Sequence, residues 1–231
     1  MNGLLSYFKS LDLSVLGNFA MRVIPALLCI TLHELSHGFV AWRLGDDTAK
    51  RAGRLTLNPI RHIDPMGLLM MIVFRFGWAR PVPVDMRNFK NPKRGMAVTA
   101  LAGPASNLVI CAVALFLYGL LYYPLYLRQS LGTFGSGLLE TVYVTAYLSL
   151  AMGIFNLLPI PPLDGSKVLY SVLSDRSYYT LMRYERYGMI ALWIFVWSGV
   201  FGTPLSTATE WAFDRLFRVA QWGFDIVKRF V

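Results

Sequence analysis

The chain has 231 residues, 55% of them apolar, 14% aromatic and only 15% charged, and its mean hydropathy is +0.48. That composition excludes an ordinary soluble domain and points to an integral membrane protein. The net charge of +9 is no argument for a nucleic-acid partner, because 11 of the 22 Lys and Arg fall between Arg43 and Arg94, where they read as a topology signal.

Four stretches of low charge are long enough for a hydrocarbon core of about 30 Å, which takes roughly 20 helical residues. They are Val23 to Trp42, Met96 to Tyr123, Thr141 to Pro159, and Gly188 to about Leu205. Arg22 and Arg43 bracket the first and mark its two interfaces. No small-residue cleavage site follows it, so the segment is expected to be retained.

The basic loop 43–94 is placed in the cytoplasm, and 124–137, with Arg128 alone, outside. The amino terminus is then outside, and 160–187, with Lys167, Arg176, Arg183 and Arg186, returns to the cytoplasm.

Within the basic loop, Gly53 to Asn58 and Ala79 to Asp85 alternate in the period of strands. Pro81 and Pro83 make the second an edge strand. Between them Pro65 to Phe74 is uncharged but too short to span, and reads as a re-entrant or interfacial segment.

Near the carboxyl end, Trp211 to Phe230 places Phe213, Leu216, Phe217, Ala220, Phe224 and Val227 on one helical side. The stretch 207–231 is therefore expected to form an amphipathic interfacial helix, its side of the membrane open. The expected architecture is one all-α polytopic membrane domain over residues 1–231. It has about four transmembrane helices, a small cytoplasmic β element and the re-entrant segment. Cys29 and Cys111 lie in different spans and predict packing rather than a disulfide. Cys29 is one turn before His33, so an approach to a metal is its other reading.

His33-Glu34-Leu35-Ser36-His37 is an HExxH pattern within the first span. Residues four apart share a helix face with Cβ atoms about 5–6 Å apart, so two imidazoles reach one metal ion. Glu34 projects beside them as a candidate general base, taking a proton from water and passing it to a leaving amine. The bland alternative is a polar pair bonded between helices, but ionisable groups near mid-bilayer are costly and usually functional.

Catalytic zinc takes three protein ligands, so one more is required. His62, in the basic loop, is one candidate. Asp164 is the better placed, because it ends Asn156-Leu157-Leu158-Pro159-Ile160-Pro161-Pro162-Leu163-Asp164-Gly165, where prolines stop the third span on the cytoplasmic side. A proline-rich helix exit with an exposed turn aspartate is the alternative.

HELSH on one span, NLLPIPPLDG at the end of a later one, and Gly103-Pro104-Ala105-Ser106-Asn107 between them resemble the site-2 protease family of intramembrane zinc metalloproteases. The resemblance covers about residues 20–170, the catalytic core, in a compact form with no room for a PDZ domain. It implies a Zn2+ cofactor held by His33, His37 and Asp164, with Glu34 as general base. It also implies that Asn156 holds substrate or stabilises an oxyanion. Asn107 either packs between helices or contacts substrate.

The expected reaction is hydrolysis of peptide bonds in membrane-spanning protein or peptide substrates, with the bilayer as the other partner. A spanning helix hides its peptide bonds, so it must unwind first. The edge strand, through Arg80, Pro81, Val82, Pro83 and Val84, is expected to capture the extended chain by strand addition. The compact form suggests a prokaryotic plasma membrane with the site towards the cytoplasm. Two rival readings are a zinc hydrolase of non-peptide substrates and a non-catalytic scaffold or transporter retaining a metal site. An intact Glu34 speaks against the scaffold, and the single broken helix against a transporter.

Overall fold

The computed structural model of the chain describes residues 13–74, 77–200 and 202–230. Its first helix, α1 (Leu13–Arg43), runs through the HExxH motif and ends at the arginine expected to mark the interface. After a short helix α2 (Thr48–Arg51) and a 3-10 turn at Pro59–His62, α3 (Pro65–Phe74) covers the short uncharged segment. Asp64 starts it by accepting the Gly67 N–H at 2.8 Å. At about 1.5 Å per residue, its 10 residues are too few to cross a bilayer.

The long helix α4 (Pro92–Tyr122) is capped by the Asn91 side chain and continues as a π turn over Tyr123–Leu127. An antiparallel neighbour, α5 (Gly132–Asn156), is followed by α6 (Asp164–Ser171) and α7 (Asp175–Ser198). Two helices, α8 (Gly202–Leu216) and α9 (Arg218–Lys228), complete the described chain.

Helix α4 is the centre of the bundle, packed by α1, α5, α6 and α9. The bundle's core cluster contains Cys111, Ala114 and Leu115 from α4, Ala146 and Leu150 from α5, Phe213 from α8 and Ala220 from α9. Apolar side chains that soluble proteins hide are exposed on the outer faces, with Ile24 58%, Val109 62% and Val113 53% accessible. Such faces suit lipid contact. By length and composition, Val23–Arg43, Pro92–Leu127 and Gly132–Asn156 can each cross a membrane.

The fourth expected span is broken. Gly199 adopts φ 69°, the left-handed conformation that glycine takes without strain, and ends α7. The chain resumes at Gly202 in a new direction, so that the stretches Tyr187–Ser198 and Gly202–Lys228 meet at 86° and form at most a bent span.

The small β element is a correction. Among the described residues there is no strand, only an isolated antiparallel bridge between Ile63 and Ala79. Alternation alone does not make a ladder when the donors go elsewhere. Pro81 and Pro83 have none, Val82 and Asp85 donate to the carboxylates of Glu34 and Asp46, and the Arg80 N–H bond to His62 O at 2.9 Å is that of the isolated bridge itself.

The carboxyl-terminal stretch forms two helices where one was expected, and α9 docks on α4. A Cβ on Gly119 would lie 1.9 Å from the Ala220 carbonyl oxygen, so the absence of a side chain is what lets the two backbones meet.

Candidate metal centre

Four residues of spacing and one helix face bring His33 and His37 together with ring centroids 4.6 Å apart. The turn between α5 and α6 then carries Asp164 to them from the first position of α6. Asp164 Oδ2 lies 3.2 Å from His33 Nε2 and 3.1 Å from His37 Nε2, and the two Nε2 atoms are 3.0 Å apart. All three residues are buried. Their ligand atoms all lie within 4.8 Å of one another, a group able to hold a metal ion.

The chemistry of these donors fits a cation. His37 Nδ1 faces the Thr99 carbonyl oxygen at 2.8 Å. A carbonyl only accepts, so Nδ1 carries the proton and Nε2 presents its lone pair to the cluster. Asn107, fully buried, faces His33 Nδ1 at 3.1 Å, while its Oδ1 is buried without a partner. Turning the amide by 180° lets Nδ1–H donate to Oδ1, satisfies the orphan and again frees Nε2. Asp164 Oδ2 is itself buried with no hydrogen-bond donor. Three lone pairs converging in a buried site require a positive charge among them.

The backbone of α4 forms the wall behind the imidazoles. A Cβ on Gly103 would stand 2.4 Å from His37 Nε2 and 2.5 Å from His33 Cε1. Gly103→Ala is therefore expected to displace the rings and abolish stoichiometric zinc in purified protein, measured by metal analysis. An unaltered zinc content in a folded Gly103→Ala variant would show that the wall is not in contact with the metal ligands.

Glu34 is half-buried beside the cluster, its Oε2 accepting the Val82 N–H at 2.9 Å. Asn156 closes α5, and its amide donates to the Met152 carbonyl at 2.9 Å. Met152 takes one of two amide hydrogens. Asn107 stands behind His33 with no exposure to an open surface. Pro81 to Val84 lie along α1 on the Glu34 side, Arg80 at their exposed end.

Two residues weighed as further ligands lie elsewhere. His62 is buried on its own loop, Nε2 against the Thr56 carbonyl at 2.9 Å. The Cys29 thiol contacts the Thr145 carbonyl at 3.7 Å, on the side of α5. The Thr99 carbonyl and Gly103 were missed by sequence reasoning. The first leaves no side-chain signal, and the second was legible only as part of the GPASN motif.

Outside the spans, the far end of the loop is held electrostatically. Arg87 pairs with Asp85 through three side-chain contacts of 2.9, 3.1 and 2.6 Å and lowers the pKa of the Asp85 carboxyl to about 2. Burial opposes ionisation of Asp46, but hydrogen bonds from Thr48, Asn88 and the Asp85 backbone outweigh it and hold its carboxyl below the usual range.

Similarity to known proteins agrees with this arrangement. The profile of Peptidase family M50 matches residues 21–198. YwhC of Bacillus subtilis (strain 168), provisionally named a zinc metalloprotease, is 40% identical over 189 residues, covering 82% of this chain and 83% of that protein. Rip2 of Mycobacterium tuberculosis (strain ATCC 25618 / H37Rv), also provisionally named a zinc metalloprotease, is 30% identical over 218 residues, 93% of this chain and 76% of its own. Zinc metalloprotease MJ0392 of Methanocaldococcus jannaschii is 28% identical over 177 residues, 73% of this chain and 40% of its own. No solved structure matches significantly. With its apolar helices and its His, His and Asp cluster, the chain belongs to peptidase family M50, the site-2 protease family of membrane zinc metalloproteases.

Proposed function

We propose that this metalloprotease hydrolyses peptide bonds of membrane-spanning substrates, with zinc held by His33, His37 and Asp164 and with Glu34 as general base. The observation that carries the reading is the convergence of two ring nitrogens and one carboxylate oxygen within 4.8 Å, the two histidines lying inside a helix that can span a membrane. Zinc bound there supplies a Lewis acid that polarises a carbonyl and lowers the pKa of water.

The chain's own groups do the rest. Glu34 takes a proton from the attacking water and returns it to the nitrogen of the breaking C–N bond, so that one water is consumed per bond cut. Thr99 O and Asn107 keep both imidazoles in the ligating tautomer. The second amide hydrogen of Asn156 is available to the carbonyl oxygen of a substrate. The backbone acceptors of Pro81 to Val84 serve an extended substrate better than the segment's donors, since the two prolines have no N–H and that of Val82 is engaged by Glu34.

His37 is six residues before Arg43, about 9 Å along the helix, so the site lies between mid-bilayer and the face carrying the basic loop. The positive-inside rule makes that face cytoplasmic, in a prokaryotic plasma membrane. The reading is tested by co-reconstituting the protein with a single-span substrate in vesicles and locating the cut by mass spectrometry. Cleavage within or at the edge of the span, abolished by a zinc chelator, is expected. Cleavage confined to a water-exposed tail far from the span would overturn it.

A further inference from the structure

A glutamate in a helix has three side-chain torsions, and a general base works only if its oxygen is held where the proton is released. What holds Glu34 comes from the loop between α1 and α4. The Val82 N–H donates to Glu34 Oε2 at 2.9 Å. Three residues later Asp85 N–H donates to Asp46 Oδ2 at 2.7 Å, and Asn88 Nδ2 bonds the other oxygen of that fully buried carboxylate at 2.7 Å. On the near side, Arg54, also buried, donates to the Arg80 carbonyl at 2.7 Å.

The segment is therefore pinned on both sides of Val82. Pro81 and Pro83 flank it, and a residue before proline is confined to extended backbone. The Val82 side chain is itself buried, 8% accessible, against the helix turn that follows His37, where a Cβ on Gly38 would lie 3.0 Å from its Cγ1. A rigid donor on rigid supports thus meets one oxygen of a flexible carboxylate.

We infer that the backbone amide of Val82 is a positioning group for Glu34, occupying Oε2 so that the carboxylate plane is fixed and Oε1 alone is left to water. The inference rests on the reading of Glu34 as the proton carrier. It gives the Ala79 to Asp85 segment a role that strand addition does not: a brace for the base, acting on catalysis rather than on substrate affinity. An N–H donor to a carboxylate is among the stronger hydrogen bonds, roughly twice a neutral one, so the brace is worth keeping at the cost of a donor that substrate could have used.

The test has two arms, both on the full-length, zinc-loaded protein. In amide hydrogen exchange, Glu34→Gln keeps a neutral acceptor and should retain part of the Val82 amide's protection. Glu34→Ala removes the acceptor and should speed Val82 exchange about tenfold, the counterpart of one lost charge-assisted hydrogen bond, with the Arg80 and Asp85 amides unaltered. Val82 exchange equally slow in Glu34→Ala would overturn the inference, whatever the activity.

In kinetics, Val82→Ala and Val82→Pro both lose the side-chain packing, but only Val82→Pro loses the N–H, in a segment whose prolines already suit it. With zinc content retained, kcat should fall on the order of tenfold to a hundredfold further in Val82→Pro than in Val82→Ala, at similar KM. Equal kcat in the two variants overturns the brace. Activity surviving in Glu34→Gln overturns instead the general-base reading on which it rests.

Discussion

Purified Asp164→Ala protein is expected to hold no stoichiometric zinc and to cut no substrate. The carboxylate supplies the only negative charge among the three converging donors, and its Oδ2 stands 3.1–3.2 Å from both imidazole nitrogens. Without it, two neutral rings face a dication in a buried site, where an uncompensated charge is costly. The loss of affinity should exceed the roughly 10–100-fold that removing an outer-shell partner costs. His62→Ala is the matched control, since His62 spends Nε2 on the Thr56 carbonyl of its own loop. It should leave zinc at one per chain. Metal analysis of the two variants decides between them, and the reverse pattern would return Asp164 to a helix-exit residue.

Glu34→Gln is the second large effect and has the opposite signature. The amide keeps the shape of the carboxylate and can still accept the Val82 N–H, so the ligand set and the fold should survive and zinc should stay at one per chain. What disappears is the proton acceptor, a contribution of about 10²–10⁴-fold for general acid–base catalysis. Single-turnover cleavage of a reconstituted substrate should therefore fall by that factor at unaltered zinc content. Undiminished turnover would remove Glu34 from the mechanism.

Much of the site was legible because its parts are local. The i, i+4 histidines need only a helix, and the apolar composition of Val23 to Trp42 supplies one. Asp164 was legible through the prolines that precede it, since they had to end the span and turn the chain back towards the first helix.

The parts that were not legible depend on where donors and small residues meet across the fold. Ala79 to Asp85 alternates like a strand, yet Glu34 and Asp46 claim its amides, and no periodicity announces that. Trp211 to Phe230 has the amphipathic pattern of an interfacial helix. The contact between Gly119 and Ala220 also makes part of it a packing partner of α4, and the glycine that permits the approach lies on α4, outside that stretch. The fourth span looked continuous in hydropathy, while Gly199 sets its break through backbone conformation.

X-ray absorption at the zinc edge of the purified wild-type protein tests the central assignment most directly. Two imidazole nitrogens are expected at about 2.0–2.1 Å and carboxylate oxygen at about 2.0–2.2 Å, with the scattering of one light-atom ligand lost or replaced in whatever zinc Asp164→Ala retains. Three imidazoles would bring His62 into the shell, and sulfur scattering at about 2.3 Å would bring in Cys29; either result would contradict a centre built from His33, His37 and Asp164.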